Sequence, residues 1–456
     1  MTLEMAAAEQ PPAAPASAEP WPRPAVAWYA VFVFALALMM DFLDRGVIGY
    51  LVHPIENDLH LSDFQVSLIT GLAYVVFYAL VGLPVARFAD VGTRRTIVAV
   101  GVAVWSIATA ACGLAQNFWW LFFARMGVGA GESCNGPPVF SMISDLFPRE
   151  KLPRAIAVLN FGFIAGTGLA SIFAGSIIHL MSSIHPIALP WFGTLRPWQM
   201  TFIAVGLPGL IISGLLLTVK EPLRRGRMQA AGAPKSMPVR DVVRFFLDNG
   251  ATYIPMFLSL GFNIIPAVGL LAWSAEYFRR SFALSPADYA MYSGSISIVV
   301  APLGALFGSW LAERFHARGR DDANMRVVLL AFILNTPGLI ALTLAPSVWV
   351  ALAIFGYTQF VAMWVPGPFN AALQVVTPNE MRGQITALFL FIFNIIGYGT
   401  GPSIVAFITQ YVFRDPAMLR YSMLIVMIVM MPPAALSIWW GLKAYGQSVA
   451  RARSWA

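Results

Sequence analysis

The sequence predicts an all-α integral membrane protein, with twelve transmembrane helices arranged as two six-helix bundles. Three observations lead there. Charged residues are only 11% of the 456-residue chain and hydrophobic ones 58%, against roughly 25% charged in soluble domains, so no soluble core hides this much apolar surface. Apolar stretches long enough to cross a hydrocarbon layer of about 30 Å, which takes roughly 20 helical residues, recur twelve times. A polar, Arg-rich stretch over residues 220–249 separates the first six from the last six.

In chain order, residues 1–25 are rich in Ala, Pro and Glu, lack the basic start and apolar run of a signal peptide, and read as a disordered tail. The first bundle, 26–219, holds spans at about 27–50, 64–87, 95–115, 118–145, 154–181 and 198–219. The linker 220–249 carries Arg224, Arg225, Arg227, Lys235, Arg240 and Arg244. The second bundle, 250–445, holds spans at about 250–277, 288–312, 326–345, 348–375, 383–412 and 418–441, and 446–456 forms a short tail. Pro255, Pro266, Pro302, Pro366 and Pro368 mark bends, which membrane helices tolerate when neighbours satisfy the freed backbone groups. A cytoplasmic N-terminus leaves only Arg196, Arg279, Arg280, Arg414 and Arg420 in outside loops. The positive-inside rule therefore places both termini in the cytoplasm. Much of the +7 charge then lies along the inner face, where anionic membrane lipids attract it, and no nucleic-acid partner is needed to explain it. Cys112 and Cys134 both fall in apolar segments and suggest neither a disulfide framework nor a metal site. With His179 a lone His near a helix end and no Ser/His pair within a span, an enzyme is disfavoured and no cofactor is expected. A receptor would share this composition; the paired halves favour transport.

Ionisable side chains are expensive inside a bilayer and by default line a pathway and pair with one another. The first span holds Asp41, Asp44 and Arg45, and the fourth holds Arg125 and Glu132. At 1.5 Å per residue, Asp41 and Glu132 fall at a similar depth near the midplane, with Asp44, Arg45 and Arg125 nearer the outer side. Burial raises a carboxyl pKa and a nearby guanidinium lowers it, so opening and closing a cavity can switch such a group between binding and releasing a proton. Asp41 is the first candidate for a proton carrier and Glu132 the second, with Arg125 as the charge partner and Arg45, at i,i+4, the one obvious cation for Asp41 within its own helix. Asp44 and Arg45 are candidates for the substrate cavity and read equally as a structural pair. In the second half Asn263, Glu276, Tyr357, Trp364, Asn370 and Asn394 are cavity candidates, although single aromatics in membrane helices also serve as packing or interface anchors.

The two halves echo each other. Ala86-Arg87-Phe88-Ala89-Asp90-Val91-Gly92-Thr93-Arg94-Arg95 follows the second span, and Gly308 to Glu313-Arg314 follows the eighth; Pro148 with Arg154 and Pro378 with Arg382 close the fourth and tenth. Six-plus-six helices with parallel halves resemble the major facilitator superfamily. Its loop pattern Gly-x-x-x-Asp-Arg-x-Gly-x-Arg-Arg is matched at Asp90, Gly92, Arg94 and Arg95 and missed at Ala86 and Val91. The resemblance implies the major facilitator fold and a cytoplasmic gate built from Asp90, Arg94, Arg95, Glu313, Arg314 and Arg382. Phe42-Leu43-Asp44-Arg45, Arg125-x-Gly127-Val128-Gly129-x-Gly131-Glu132 and Asp145-Leu146-Phe147-Pro148 further resemble the Spinster lipid transporters, most strongly over residues 40–160. That resemblance implies a bacterial homologue in the inner membrane that moves lysolipids, sphingoid lipids or related amphiphiles by proton-coupled alternating access. A proton-coupled multidrug exporter or an organic-anion porter would share the same fold and loops.

Overall fold

A computed structural model describes residues 21–148, 150–189, 193–224, 239–378 and 381–453. The expected tail up to residue 20, and Arg225, Arg227 and Lys235 of the linker, lie outside these. The first half comprises α1 (Pro24–Tyr50), α2 (Val52–Leu59), α3 (Asp63–Ser67), α4 (Ala73–Val91), α5 (Arg94–Cys112), α6 (Phe118–Glu132), α7 (Gly136–Leu146), α8 (Leu152–Ser182) and α9 (Pro197–Thr218). The second comprises α10 (Val239–Asp248), α11 (Gly250–Phe282), α12 (Pro286–Ala317), α13 (Ala323–Thr343), α14 (Val348–Ala362), α15 (Pro366–Val375), α16 (Arg382–Phe407) and α17 (Leu419–Ala452). A π-helical turn, Leu68–Leu72, joins α3 to α4, and another, Ile408–Phe413, extends α16. Between α8 and α9 a small antiparallel hairpin pairs β1 (Ile187–Leu189) with β2 (Gly193–Leu195).

Among the described residues, ten helical segments are long and apolar enough to cross a membrane. The expected fourth and fifth crossings differ. The fifth is the 31-residue α8, in which the apolar helix that stands out is the shorter Gly166–Ser182. The fourth is split into the 15-residue α6 and the 11-residue α7, broken at residues 133–135 just after Glu132. The tenth is split likewise, between α14 and α15 at residues 363–365. Pro366 sits in the first turn of α15, where its missing N–H costs nothing, so it marks a helix start and not the bend expected of it. Pro255, Pro266 and Pro302 do lie inside long helices. With these two crossings the chain makes the twelve passes of an all-α, two-bundle membrane fold.

Helix starts follow local chemistry. Ser62 and Gln65 form a capping box before α3, and Asn117, Ser285 and Ser347 each accept a backbone N–H at the start of α6, α12 and α14. Glycines bring the fourth crossing close to its neighbours: a Cβ on Gly129 would strike the Tyr74 carbonyl of α4, and one on Gly131 would lie 2.5 Å from the Trp105 nitrogen of α5. The halves meet where α8 crosses α12, α1 meets α11, and α3 and α4 meet α16. At the first seam Gly168 and Gly294 face each other so closely that a Cβ on either would come within 2.8 Å of the other's carbonyl.

The first and last described helical ends, at Pro24 of α1 and Ala452 of α17, lie on one face, which we call the terminal face. There Arg154 sits over Trp28, Arg224 donates to the Gly92 carbonyl, and Arg453 pairs with Asp321. Several cross-half hydrogen bonds lie toward the opposite, far face: the Phe64 N–H donates to Gln410, Ser67 to Ser403, and Arg280 to Asp63.

Candidate functional site

Asp41 and Arg45 stand one turn apart on α1, as i,i+4 spacing requires, and both turn toward α6. The Arg45 Nε lies 2.5 Å from Asp41 Oδ1 and donates to Glu132 Oε2 at 2.6 Å. Tyr74 of α4 donates its hydroxyl to the same Glu132 oxygen at 2.7 Å, and its ring lies 5.1 Å from the Arg45 guanidinium. One N–H thus stands between two carboxyls, while Glu132 and Asn135 approach the Asp41 side chain. Asp41 is 5% exposed and Asp44, Arg125 and Glu132 are each 1% exposed. The cluster therefore holds three buried carboxyls against two guanidiniums.

The sequence reading named Arg125 as the charge partner of the proton-carrying carboxyls, beside Arg45 as the cation one turn from Asp41 on the same helix. The structure gives that place to Arg45, whose side chain reaches back along α1, while Arg125 donates to the backbone carbonyl of Asp44 at 3.2 Å and lies under the Tyr74 ring. Arg45 also borders a central cavity of about 260 Å³ between the halves. Phe42, Leu270, Leu271, Phe355 and Met363 give it apolar walls, and Tyr50, Ser171, Ser274, Tyr289, Ser293, Gln359 and Tyr398 line it with hydroxyls and an amide. Tyr50 bridges to Ser171 at 3.0 Å.

Sequence reasoning missed Gln359 and this set of hydroxyls, and several of its own second-half candidates lie elsewhere. Asn263 borders a smaller neighbouring cavity of about 90 Å³, which Gln359 also lines, and contacts the Met431 sulfur. Tyr357 is 43% exposed and donates to the Leu334 carbonyl of α13. Trp364 packs against Phe307 and Phe360 beside Gly308, where α12 and α14 meet. Asn370 is exposed on α15, and Asn394 bonds its own helix at Leu390. Glu276 sits toward the far face, held by Arg279 and Arg280. His53, Glu56 and Glu276 bring ligand atoms within 4.8 Å of one another there, but the two guanidiniums on Glu276 give a dication the wrong electrostatic setting.

Of the residues assigned to a gate, Arg94 is buried and bonds within the first bundle and the start of the linker, none of these bonds reaching the second bundle. It donates to Asp145 at 2.5 Å, Ser141 at 2.7 Å, Glu221 at 3.0 Å and the Pro222 carbonyl at 3.0 Å, and the Arg95 N–H donates to Glu221 at 2.8 Å. This ties α5, α7 and the segment after α9 together, and it gives Asp145, noticed only through a resemblance, an ion partner. Asp90 lies in the last turn of α4, and its side chain lies outside the described residues. Glu313 and Arg314 are exposed near the end of α12, and Arg382 donates to the Gln374 and Thr377 carbonyls.

A family model described as Major Facilitator Superfamily matches residues 34–402. The chain belongs to the major facilitator superfamily. It is a membrane transporter by family and fold, not an enzyme, and its relatives within the superfamily include Spinster proteins. An "MFS-type efflux pump" of Mycolicibacterium smegmatis is 26% identical over 440 residues, covering 93% of this chain and 95% of that protein. "Protein spinster" of Drosophila melanogaster is 22% identical over 400 residues, covering 85% of this chain and 62% of that protein. A bacterial homologue of the human lysosomal transporter Spinster, solved in an inward-facing and unoccupied conformation, superposes with a TM-score of 0.76 at 24% identity, covering 95% of this chain and 98% of that one.

Proposed function

We propose that this transporter moves lipids or other amphiphiles across a bacterial inner membrane, coupled to protons, with Asp41 and Glu132 carrying the coupling proton and both termini in the cytoplasm. The observation that carries this reading is the imbalance in the buried cluster: Arg45 serves both Asp41 and Glu132 through one N–H, so the set is most easily neutralised when one of its carboxyls holds a proton. Arg45 is shared between that cluster and the cavity, which lets a substrate headgroup and the proton compete for it. Apolar walls with a polar, hydroxyl-rich patch suit a molecule with a tail and a small headgroup. The Arg94 to Arg95 region is proposed to hold the cytoplasmic side, Arg94 having its partners in the first bundle and the start of the linker in this conformation.

Reconstitution decides it. Lysolipid flux into liposomes is expected to rise with an imposed proton gradient, and Asp41→Asn to bind substrate while losing gradient-driven flux. Unchanged pH dependence in that variant would remove Asp41 from the coupling path. The efflux-pump relative favours a second reading, export of other amphiphilic solutes. Gradient-driven flux of a cationic dye with no lysolipid flux would select it.

A further inference from the structure

A second cluster with one more carboxyl than guanidinium lies toward the far face, and this one joins the two halves. Arg280, near the end of α11, holds Asp63 of α3 through both terminal nitrogens at 2.8 and 2.9 Å, reaches Glu56 of α2 at 3.3 Å, and holds Glu276 of its own helix through Nε at 2.5 Å. Arg279 takes the other Glu276 oxygen at 2.8 Å. The Arg280, Asp63 and Glu56 side chains are 8%, 10% and 12% exposed, and Glu56 Oε1 is buried without a hydrogen-bond partner. The Glu56 and Asp63 carboxyls also face each other closely, a contact at which two ionised carboxylates repel. Around the adjoining cleft of about 640 Å³ stand His53 and Asn57 of α2, Asp63 of α3, Arg279 and Arg280 of α11, and Arg414 and Asp415 after α16, with Glu276 beside them. Asp58 is engaged elsewhere, with Arg196 and Trp198.

We propose that Glu56 is a proton-binding site in a latch between the two halves, so that closing the far face takes up a proton there, separately from the Asp41 cluster. This goes beyond the transport reading and depends on neither a lipid substrate nor Asp41.

In the closed latch burial, then the Asp63 carboxyl, push the Glu56 carboxyl up to about 9 against the pull of Arg280. Parting α2 and α3 from α11 would hydrate it and return it to an ordinary glutamate value of about 4.3. A value raised on closure means that the proton favours the closed form. Its contribution is complete below the ordinary value and is lost as pH rises through about 9. Between those limits each pH unit changes the closed-to-open ratio by up to about tenfold. His53 works the other way: burial, then Arg279, lower its pKa, so the closed form resists its protonation below about pH 6.5. The window above neutral pH therefore separates Glu56 from His53.

The test uses the full chain in lipid nanodiscs, with spin labels on the far-face ends of α2 and α12 and distances recorded from about pH 7 to 10. The parent is expected to lose its short-distance population as pH rises through about 9. Glu56→Gln, neutral and nearly isosteric, is expected to hold that population within about twofold across the range. A parental titration surviving in Glu56→Gln would overturn the proposal. Infrared spectra give an independent reading: a protonated-carboxyl band is expected to disappear near pH 9 in the parent and to be missing from Glu56→Gln. Absence of any such titrating band in the parent also overturns it, whether or not the variant folds.

Discussion

At the scale of single residues, what was legible was what is costly. Asp41 and Glu132 could be found because a carboxyl within an apolar span demands a reason. Gln359 and the cavity hydroxyls could not, because Ser, Thr and Gln in such spans can bond their own helix and carry no comparable penalty. Direction matters as much as type. Tyr357 and Gln359 are two residues apart, so they project about 200° from each other around α14. The sequence reading chose the tyrosine, which faces outward, and passed over the glutamine that lines the cavity. Gln359→Ala is therefore expected to lower substrate flux about tenfold, the equivalent of about 1.4 kcal/mol, while Tyr357→Phe stays within about twofold, since it forfeits one exposed hydrogen bond worth about 1 kcal/mol at most. Initial rates in liposomes separate the two, and equal losses would mean that the cavity drawn here is not the pathway.

At the scale of elements, the alternation Gly127-x-Gly129-x-Gly131 announced close packing, but not against what. Alternate glycines on a helix turn to different sides: Gly129 meets α4 and Gly131 meets α5, while Gly127 faces only the Ala108 methyl at 3.0 Å. A leucine at 129 or 131 has to displace backbone. Thermal unfolding in detergent is expected to show each of these substitutions destabilising the protein by about 1–3 kcal/mol or more, with Gly127→Ala the best tolerated of the three sites. If Gly129→Leu unfolds at the parental temperature, α6 does not pack on α4 as described. The break after Glu132 was also written in the chain, in Asn135-Gly136-Pro137-Pro138, but a reading built on uninterrupted apolar length passed over it. The same blind spot hid the division of the tenth crossing, where Pro366 was taken for a bend.

At the scale of the whole molecule, twelve crossings and two halves follow from hydropathy and charge alone, whereas the seams between the halves involve contacts that no local pattern reveals. Gly168 and Gly294 belong to helices far apart in sequence, and nothing in either stretch names the other. Gly294→Leu is expected to wedge that seam and shift the far face toward its open form by at least about tenfold, which corresponds to about 1.4 kcal/mol; label distances across α8 and α12 that match the parent would show the seam to be slack. Arg94 carries a similar lesson, since its loop reads as a gate while its bonds stop at the first bundle and the start of the linker. The divided fourth crossing has a consequence for how the chain is made. At 1.5 Å per residue the 15 residues of α6 span about 22 Å, short of a hydrocarbon layer of about 30 Å, and Arg125 and Glu132 each add a penalty of up to about 3.5 kcal/mol to lateral release into lipid. This segment is a poor passenger for the insertion machinery by itself. Its partners, the Asp44 carbonyl, Arg45 and Tyr74, all lie upstream and emerge from the ribosome first. The polar cluster proposed to serve transport in the finished protein would thus also serve during synthesis, as the docking point that draws a reluctant segment into the bilayer.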